Sequence, residues 1–183
     1  IADESTVLLK NENQLLPLDA KSLKSIAIIG PNADQVQFGD YTWSRNNKDG
    51  VTPLQGIKNR VNKNTAIHYA KGCSLTSLDT SGIAEAVEAA KNSEVAVIFG
   101  GSASAALARD YKSSTCGEGF DLNDLNLTGA QSQLIREVYR TGTPVILVLV
   151  TGKPFVIEWE KNNLPAILVQ WYAGEQAGNS IAD

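Results

Sequence analysis

Short apolar runs recur along this chain, each stopped by glycine, proline or polar residues. They cover positions 23–30, 66–70, 93–100, 144–150 and 166–169. The runs Val95 to Phe99 and PVILVLV (144–150) are continuous rather than alternating, the mark of strands covered on both faces. Segments with helical spacing lie between them. They are 54–61, 81–91 with Ile83, Val87 and Ala90 recurring, the stretch from Gln131 through Leu134, Ile135 and Val138 to Tyr139, 155–162 and 174–183. Ser81 and Thr128 are the expected N-caps of two of these helices. Positions 4–9 read as the end of a further helix that leads into a turn at 11–17. Short strands alternating with helices suit right-handed parallel crossovers, so the pattern predicts one α/β domain with a mostly parallel sheet.

Two long polar segments interrupt this rhythm, 31–53 and 101–127. Each begins where a strand is expected to end, and in parallel sheets ligands gather outside the carboxyl ends of strands. The first segment carries Phe38, Asp40, Tyr41 and Trp43 close together. Aromatics beside carboxylates suit a sugar, whose ring offers an apolar face for stacking and hydroxyls for the acid. The same residues can equally tuck the loop against the body. The second segment contains Thr115-Cys116-Gly117-Glu118-Gly119-Phe120-Asp121. Glycines on both sides of Glu118 let the backbone approach a ligand closely. A carboxyl placed there can protonate a departing glycosidic oxygen if burial raises its pKa. A solvent-facing turn, or a metal-binding pair with Asp121, would look the same in sequence.

Composition narrows the alternatives. An apolar fraction of 43% and a charged fraction of 20% exclude a disordered or fibrous chain, and 183 residues suit one domain. A net charge of −4 argues against a polyanion-binding surface, so no nucleic-acid partner is expected. No apolar stretch approaches the length of a membrane span. The opening IADESTVLLK is not a signal peptide, and the chain has no Met, which favours a processed chain or a piece of a longer product. Either the protein is cytosolic or a targeting segment lies outside this piece; the location stays open, with a periplasmic or secreted one favoured for the parent. The last helical segment opens apolar (Ile181, Ala182) and stops, so more of the fold is expected to follow, a disordered tail being the alternative. Cys73 and Cys116, 43 residues apart, can pair or stay free.

No GxGxxG, Walker A, HExxH or CxxC motif occurs, so neither cofactor nor metal is expected. Gly30-Pro31-Asn32 follows a strand as a phosphate loop would, but its glycine spacing is wrong and Pro31 removes an amide donor. Gly100-Gly101-Ser102 and Thr151-Gly152-Lys153-Pro154 read as turns. His68, the single histidine, lies in or beside a strand with no marked serine partner, and a packed or surface role is expected.

Taken together, several stretches resemble the second domain of glycoside hydrolase family 3, a group of β-glucosidases and β-xylosidases. They are ESTVLLKNENQLLPL (4–18), IAIIGPNAD (26–34), GDYTW (39–43), TPLQGI (52–57) and YAKGC (69–73), then GEGFDLNDLNLTGAQ (117–131), TGTPVILVLVTGKP (141–154) and PAILVQWYAGEQAGNSIAD (165–183). They run nearly end to end and in family order. The resemblance implies a three-layer α/β/α sandwich over residues 1–183, partial at its C-terminal end, with an N-terminal nucleophile-bearing domain absent from it. It implies that Glu118 is the general acid/base of a retaining β-glycosidase acting on a β-linked oligosaccharide or glycoside. Asp40, Tyr41, Trp43 and Asp121 become the substrate-binding candidates, Tyr41 lying near an outer-subsite aromatic of some relatives. Leu122 and Thr128 stand where relatives commonly have arginine and proline, and Arg109 is a candidate substitute for that arginine in bracing the loop. Two other classes stay open: a noncatalytic carbohydrate-binding or interaction domain, and a nucleotide-binding α/β protein, although the latter lacks its phosphate-cradling glycines.

Overall fold

The computed structural model describes residues 1–43, 46–104, 115–119 and 123–183. In chain order these form α1 (Ala2–Ser5), β1 (Val7–Asn11), β2 (Ser25–Ile29), α2 (Pro53–Arg60), β3 (Ala66–Ala70) and α3 (Ile83–Lys91). They continue with β4 (Val95–Gly101), α4 (Gln131–Tyr139), β5 (Val145–Val150), α5 (Glu158–Asn163), β6 (Ala166–Gln170) and α6 (Ala177–Ala182). The strands build one sheet in the order β1-β6-β5-β4-β2-β3. All pairings are parallel except that of β1 with β6. β4 and β5 are buried at every position, which is why their runs are apolar without alternation.

Successive side chains of a strand point to opposite faces, and here each face meets its own helical layer. Ala27, Ile29, Ala96, Ile98, Leu147 and Ile167 pack against Ile83, Ala86 and Ala90 of α3 and against Leu134, Ile135 and Val138 of α4. Ile26, Ile28, Val97, Phe99, Ile146 and Val148 pack on the other side with Leu54 and Ile57 of α2, and with Ile181 of α6 beside them. The expected α/β fold is therefore present, a helix–sheet–helix sandwich around a mostly parallel sheet. Among the described residues, no helix is long and apolar enough to cross a membrane.

Three local expectations are corrected. Positions 4–9 are not the end of a helix that runs to Leu9, because α1 stops at Ser5 and Val7–Asn11 pairs antiparallel with β6. Pairing with the sheet edge satisfies backbone groups that a short isolated helix would leave to water. Ser81 does not cap α3. Its hydroxyl and N–H both donate to Asp79, and the helix begins after Gly82. Thr128 does not cap α4 either, because its hydroxyl donates to the Leu75 carbonyl at 2.6 Å and Ala130 occupies the cap position. In the last two cases a competing partner for a small polar side chain outweighs the helix terminus.

The topology also places the long segments. β2 and β4 are neighbours, yet the chain leaves β2 toward β3 and leaves β4 toward β5, on opposite sides. Where strand order reverses in this way, the connections diverge and open a crevice at the carboxyl ends. Segments 31–53 and 101–127 both start at that crevice.

Candidate active site

Asn32, fully buried at the exit of β2, fastens the first segment to the neighbouring strand. Its N–H donates to the Phe99 carbonyl at 3.1 Å, and its Nδ2 donates to the carbonyls of Gly100 (3.2 Å) and Ser102 (3.3 Å). Its Oδ1 accepts from Gln37 Nε2 at 2.8 Å, which carries the clamp forward to Phe38, Gly39 and Asp40. Phe38 is buried, so that aromatic tucks the loop against the body. Tyr41 and Trp43 do the opposite. They are 72% and 103% exposed, and Tyr41 has the positive φ of 62° that few residues with a Cβ adopt.

The second segment is held at its base. The Thr115 N–H donates to the Ala103 carbonyl at 2.9 Å, the Ala103 N–H donates to Thr115 Oγ1 at 3.1 Å, and Ser104 and Cys116 form a parallel bridge. Glu118 follows two residues later, between Gly117 (φ 133°) and Gly119 (φ 69°), and its side chain is exposed. The φ values explain the glycines, because a Cβ at either position would strain the turn that presents Glu118. The Glu118 N–H donates to Asp40 Oδ2 at 2.8 Å, joining two loops 78 positions apart in sequence.

Asp40 and Glu118, named from the sequence, are thus brought together. Tyr41 and Trp43 stand on the same loop as Asp40 with their rings in solvent. Asp121, together with Arg109 and Leu122, lies outside the described residues. His68 sits in β3, half-buried, in register with Ala27 of β2. Cys73 and Cys116 are both buried free thiols. Burial pushes the Cys73 thiol up to about 11. Among the described residues, no cluster of three or more His, Cys, Asp and Glu is assembled to hold a metal ion.

Sequence reasoning missed the groups beneath the two loops. Ser102 at the exit of β4, Thr151 and Lys153 at the exit of β5, and Tyr172 at the exit of β6 meet under Cys116. Thr-Gly-Lys-Pro bends away after β5, as read, whereas Gly100 and Gly101 are not a turn but the paired end of β4. The hydroxyls of Ser102 and Thr151 face one another across these neighbouring parallel strands. The only local signal was the position of these polar residues at strand exits. Lys153 Nζ is shielded from water with no hydrogen-bond partner among the described residues, and it lies 4.7 Å from the centre of the Phe155 ring. Desolvation lowers its pKa, and the negative charge of Asp124 opposes that shift.

Gln131 supports the same corner from α4. Its Oε1 accepts the Gly101 N–H at 2.8 Å, and its Nε2 donates to the carbonyls of Gly101 (3.1 Å) and Leu75 (3.2 Å). Gln131→Leu keeps most of the volume and leaves the buried N–H and carbonyl of Gly101 without this amide, while the Leu75 carbonyl keeps Thr128. Urea unfolding of the chain is expected to show a loss of about 2 kcal/mol, the typical cost of an orphaned buried polar group. A change within about 0.5 kcal/mol would mean that water replaces the amide.

With this geometry in view, comparison with known proteins is specific. The family model of the glycosyl hydrolase family 3 C-terminal domain matches residues 6–183. A β-xylosidase of Formosa agariphila is 40% identical over the whole chain, and a periplasmic β-glucosidase of Salmonella typhimurium is 36% identical. The chain spans 25% of the length of each. Among solved structures, a β-glucosidase from Erythrobacter marinus superposes with a TM-score of 0.82 at 32% identity, over 99% of this chain and 26% of its own. A β-glucosidase from Listeria innocua in complex with isofagomine does so with a TM-score of 0.82 at 27% identity, over 100% of this chain and 24% of its own.

Proposed function

Because this chain belongs to the glycosyl hydrolase family 3 C-terminal domain family, we propose that it supplies the general acid/base to a retaining β-glycosidase site. The substrate is a terminal, non-reducing β-D-glycosyl residue, a glucoside before a xyloside. The observation that carries this reading is the bond from the Glu118 N–H to Asp40, which puts a carboxyl and a sugar-binding loop at one crevice mouth. Glu118 is the acid/base. Asp40, Tyr41, Trp43 and Asp121 form part of the outer subsite, where a sugar ring would desolvate the two exposed aromatic faces.

A second carboxylate is required, and we assign it to a nucleophile-bearing domain of the same protein. The roughly fourfold greater length of the relatives is consistent with such a domain. The nucleophile attacks the anomeric carbon while Glu118 protonates the leaving oxygen. Glu118 then takes a proton from the water that releases the sugar. For this sequence the two carboxyls stand about 5 to 5.5 Å apart. Glu118 is exposed in the chain alone, so the water-excluded setting that favours proton transfer comes from the other domain and the bound sugar.

The test has two parts. The 183-residue chain by itself is expected to show no turnover of aryl β-glucosides, and robust hydrolysis by it would place the nucleophile within these residues. In the protein that also carries the nucleophile domain, Glu118→Ala is expected to stall after the sugar is bound covalently. Added azide, which attacks without a general base, then yields a β-glycosyl azide. Ordinary hydrolysis with no azide product would favour a noncatalytic carbohydrate-binding role for this face.

A further inference from the structure

The groups beneath Glu118 form a hydrogen-bond chain with only one consistent direction. The Lys153 carbonyl can only accept, so the single proton of Thr151 Oγ1 is committed to it at 2.7 Å. Ser102 Oγ therefore donates to Thr151 Oγ1 at 3.0 Å, and it accepts the Gly152 N–H at 3.3 Å. Its contact with Tyr172 Oη, at 2.7 Å, then has Tyr172 as donor. With that proton used, Tyr172 Oη accepts at 2.9 Å from Cys116 Sγ, which must carry its hydrogen. The other acceptor near that sulfur, the Ala103 carbonyl, is at 3.8 Å.

The Tyr172 ring also lies beside the first loop. A methyl group placed on Gly39 would stand 3.8 Å from Cδ2, and one on Gly152 would stand 2.7 Å from Cε2. One half-buried side chain thus bonds to the cysteine two positions before Glu118 and lies beside both the turn after β5 and the residue before Asp40. Burial raises the pKa of the phenol, which keeps its proton available to Ser102.

We propose that Tyr172 is a positioning residue for the glycosidase reaction, locking the Glu118 loop through Cys116 and the Asp40 loop through Gly39 into one unit. The proposal rests on the reading of Glu118 as acid/base. It goes beyond that reading by making the aim of the carboxyl depend on a thiol-to-phenol bond. Aim matters most where protonation is most needed, at a poor leaving group.

The experiment uses Tyr172→Phe, which keeps the ring and removes only the hydroxyl, in the protein that carries the nucleophile domain. For a methylphenyl β-glycoside, kcat is expected to fall about 10-fold, the worth of one hydrogen bond, with KM changed by less than about two-fold. For a dinitrophenyl glycoside, which leaves unaided, bond cleavage is expected to change little. Cys116→Ala should reproduce the loss, Cys116→Ser should recover most of it by keeping a donor, and the double variant Tyr172→Phe/Cys116→Ala should be no worse than either single one. In the 183-residue chain, alkylation of Cys116, located by peptide mapping apart from Cys73, should accelerate about 10-fold in Tyr172→Phe as the tether is lost.

Equal losses in the bond-cleavage step of both substrates, or additive losses in the double variant, would reduce Tyr172 to a packing role and overturn the proposal. An unchanged alkylation rate would overturn the tether itself. Normal turnover in Glu118→Gln, measured alongside, would instead overturn the acid/base reading and with it the catalytic half of this proposal. The alkylation rate would still decide whether Tyr172 holds the loop.

Discussion

Glu118→Gln, in the protein that joins this chain to its nucleophile domain, is expected to slow turnover of glycosides with poor leaving groups by about 10²- to 10⁴-fold. The amide is nearly isosteric and keeps the backbone bond to Asp40, because that bond uses the N–H of residue 118 and not its side chain. Sugar binding is therefore retained, and KM for such substrates does not rise. The loss arises because the amide has no proton to give a departing oxygen. With a dinitrophenyl leaving group the first step needs no acid, so the sugar–enzyme intermediate builds up and only its hydrolysis is slow. Pre-steady-state release of the phenol would then appear as a burst. Loss of binding in place of a burst would mean that Glu118 holds the sugar rather than moving a proton.

The second large effect concerns stability. Gly101→Ala is expected to cost about 4 kcal/mol, the sum of backbone strain and overpacking. Gly101 ends β4 with φ 118°, and a methyl there would fall 2.1 Å from the Val150 carbonyl oxygen, backbone against backbone. Relief requires β4 and β5 to part where Ser102 and Thr151 bond. The comparison is Gly119→Ala, at φ 69° with no atom of the described residues within 4 Å of the added carbon. It pays only for its dihedral, about 1 kcal/mol. Urea unfolding of the two variants of this chain separates these cases. Similar midpoints for both would show that the strands yield easily, and that the close approach of Gly101 to Val150 does not limit stability.

The strands were legible because burial on both faces leaves a local record. In β5 no position is free to be polar, so PVILVLV can hardly be read otherwise. β1 left no such record. Val7, Leu8 and Leu9 are partly exposed at a sheet edge, and only their pairing with β6 makes them a strand. The caps were misread for a related reason. Ser81 and Thr128 are good cap residues, yet their hydroxyls bond to Asp79 and to the Leu75 carbonyl instead. Glu118 between glycines was visible as a turn that could present a carboxyl, and Asp40 as an acid among aromatics. Their union was not visible, and neither was Tyr172, whose segment YAGEQAG offers no sign that its hydroxyl reaches Cys116.

By itself, then, the sequence determines a parallel α/β domain of family 3 type and marks two strand-exit loops as the place for chemistry. Apolar continuity, helical spacing and glycine position are properties of neighbouring residues, and a one-dimensional pattern can hold them. Tertiary structure alone decides that Glu118 meets Asp40 across 78 positions, and that Cys116, Tyr172, Ser102 and Thr151 share one line of protons. Those contacts are selected by strand order. β6, β5, β4 and β2 lie side by side with their carboxyl ends together, so residues remote in the chain become neighbours at the crevice.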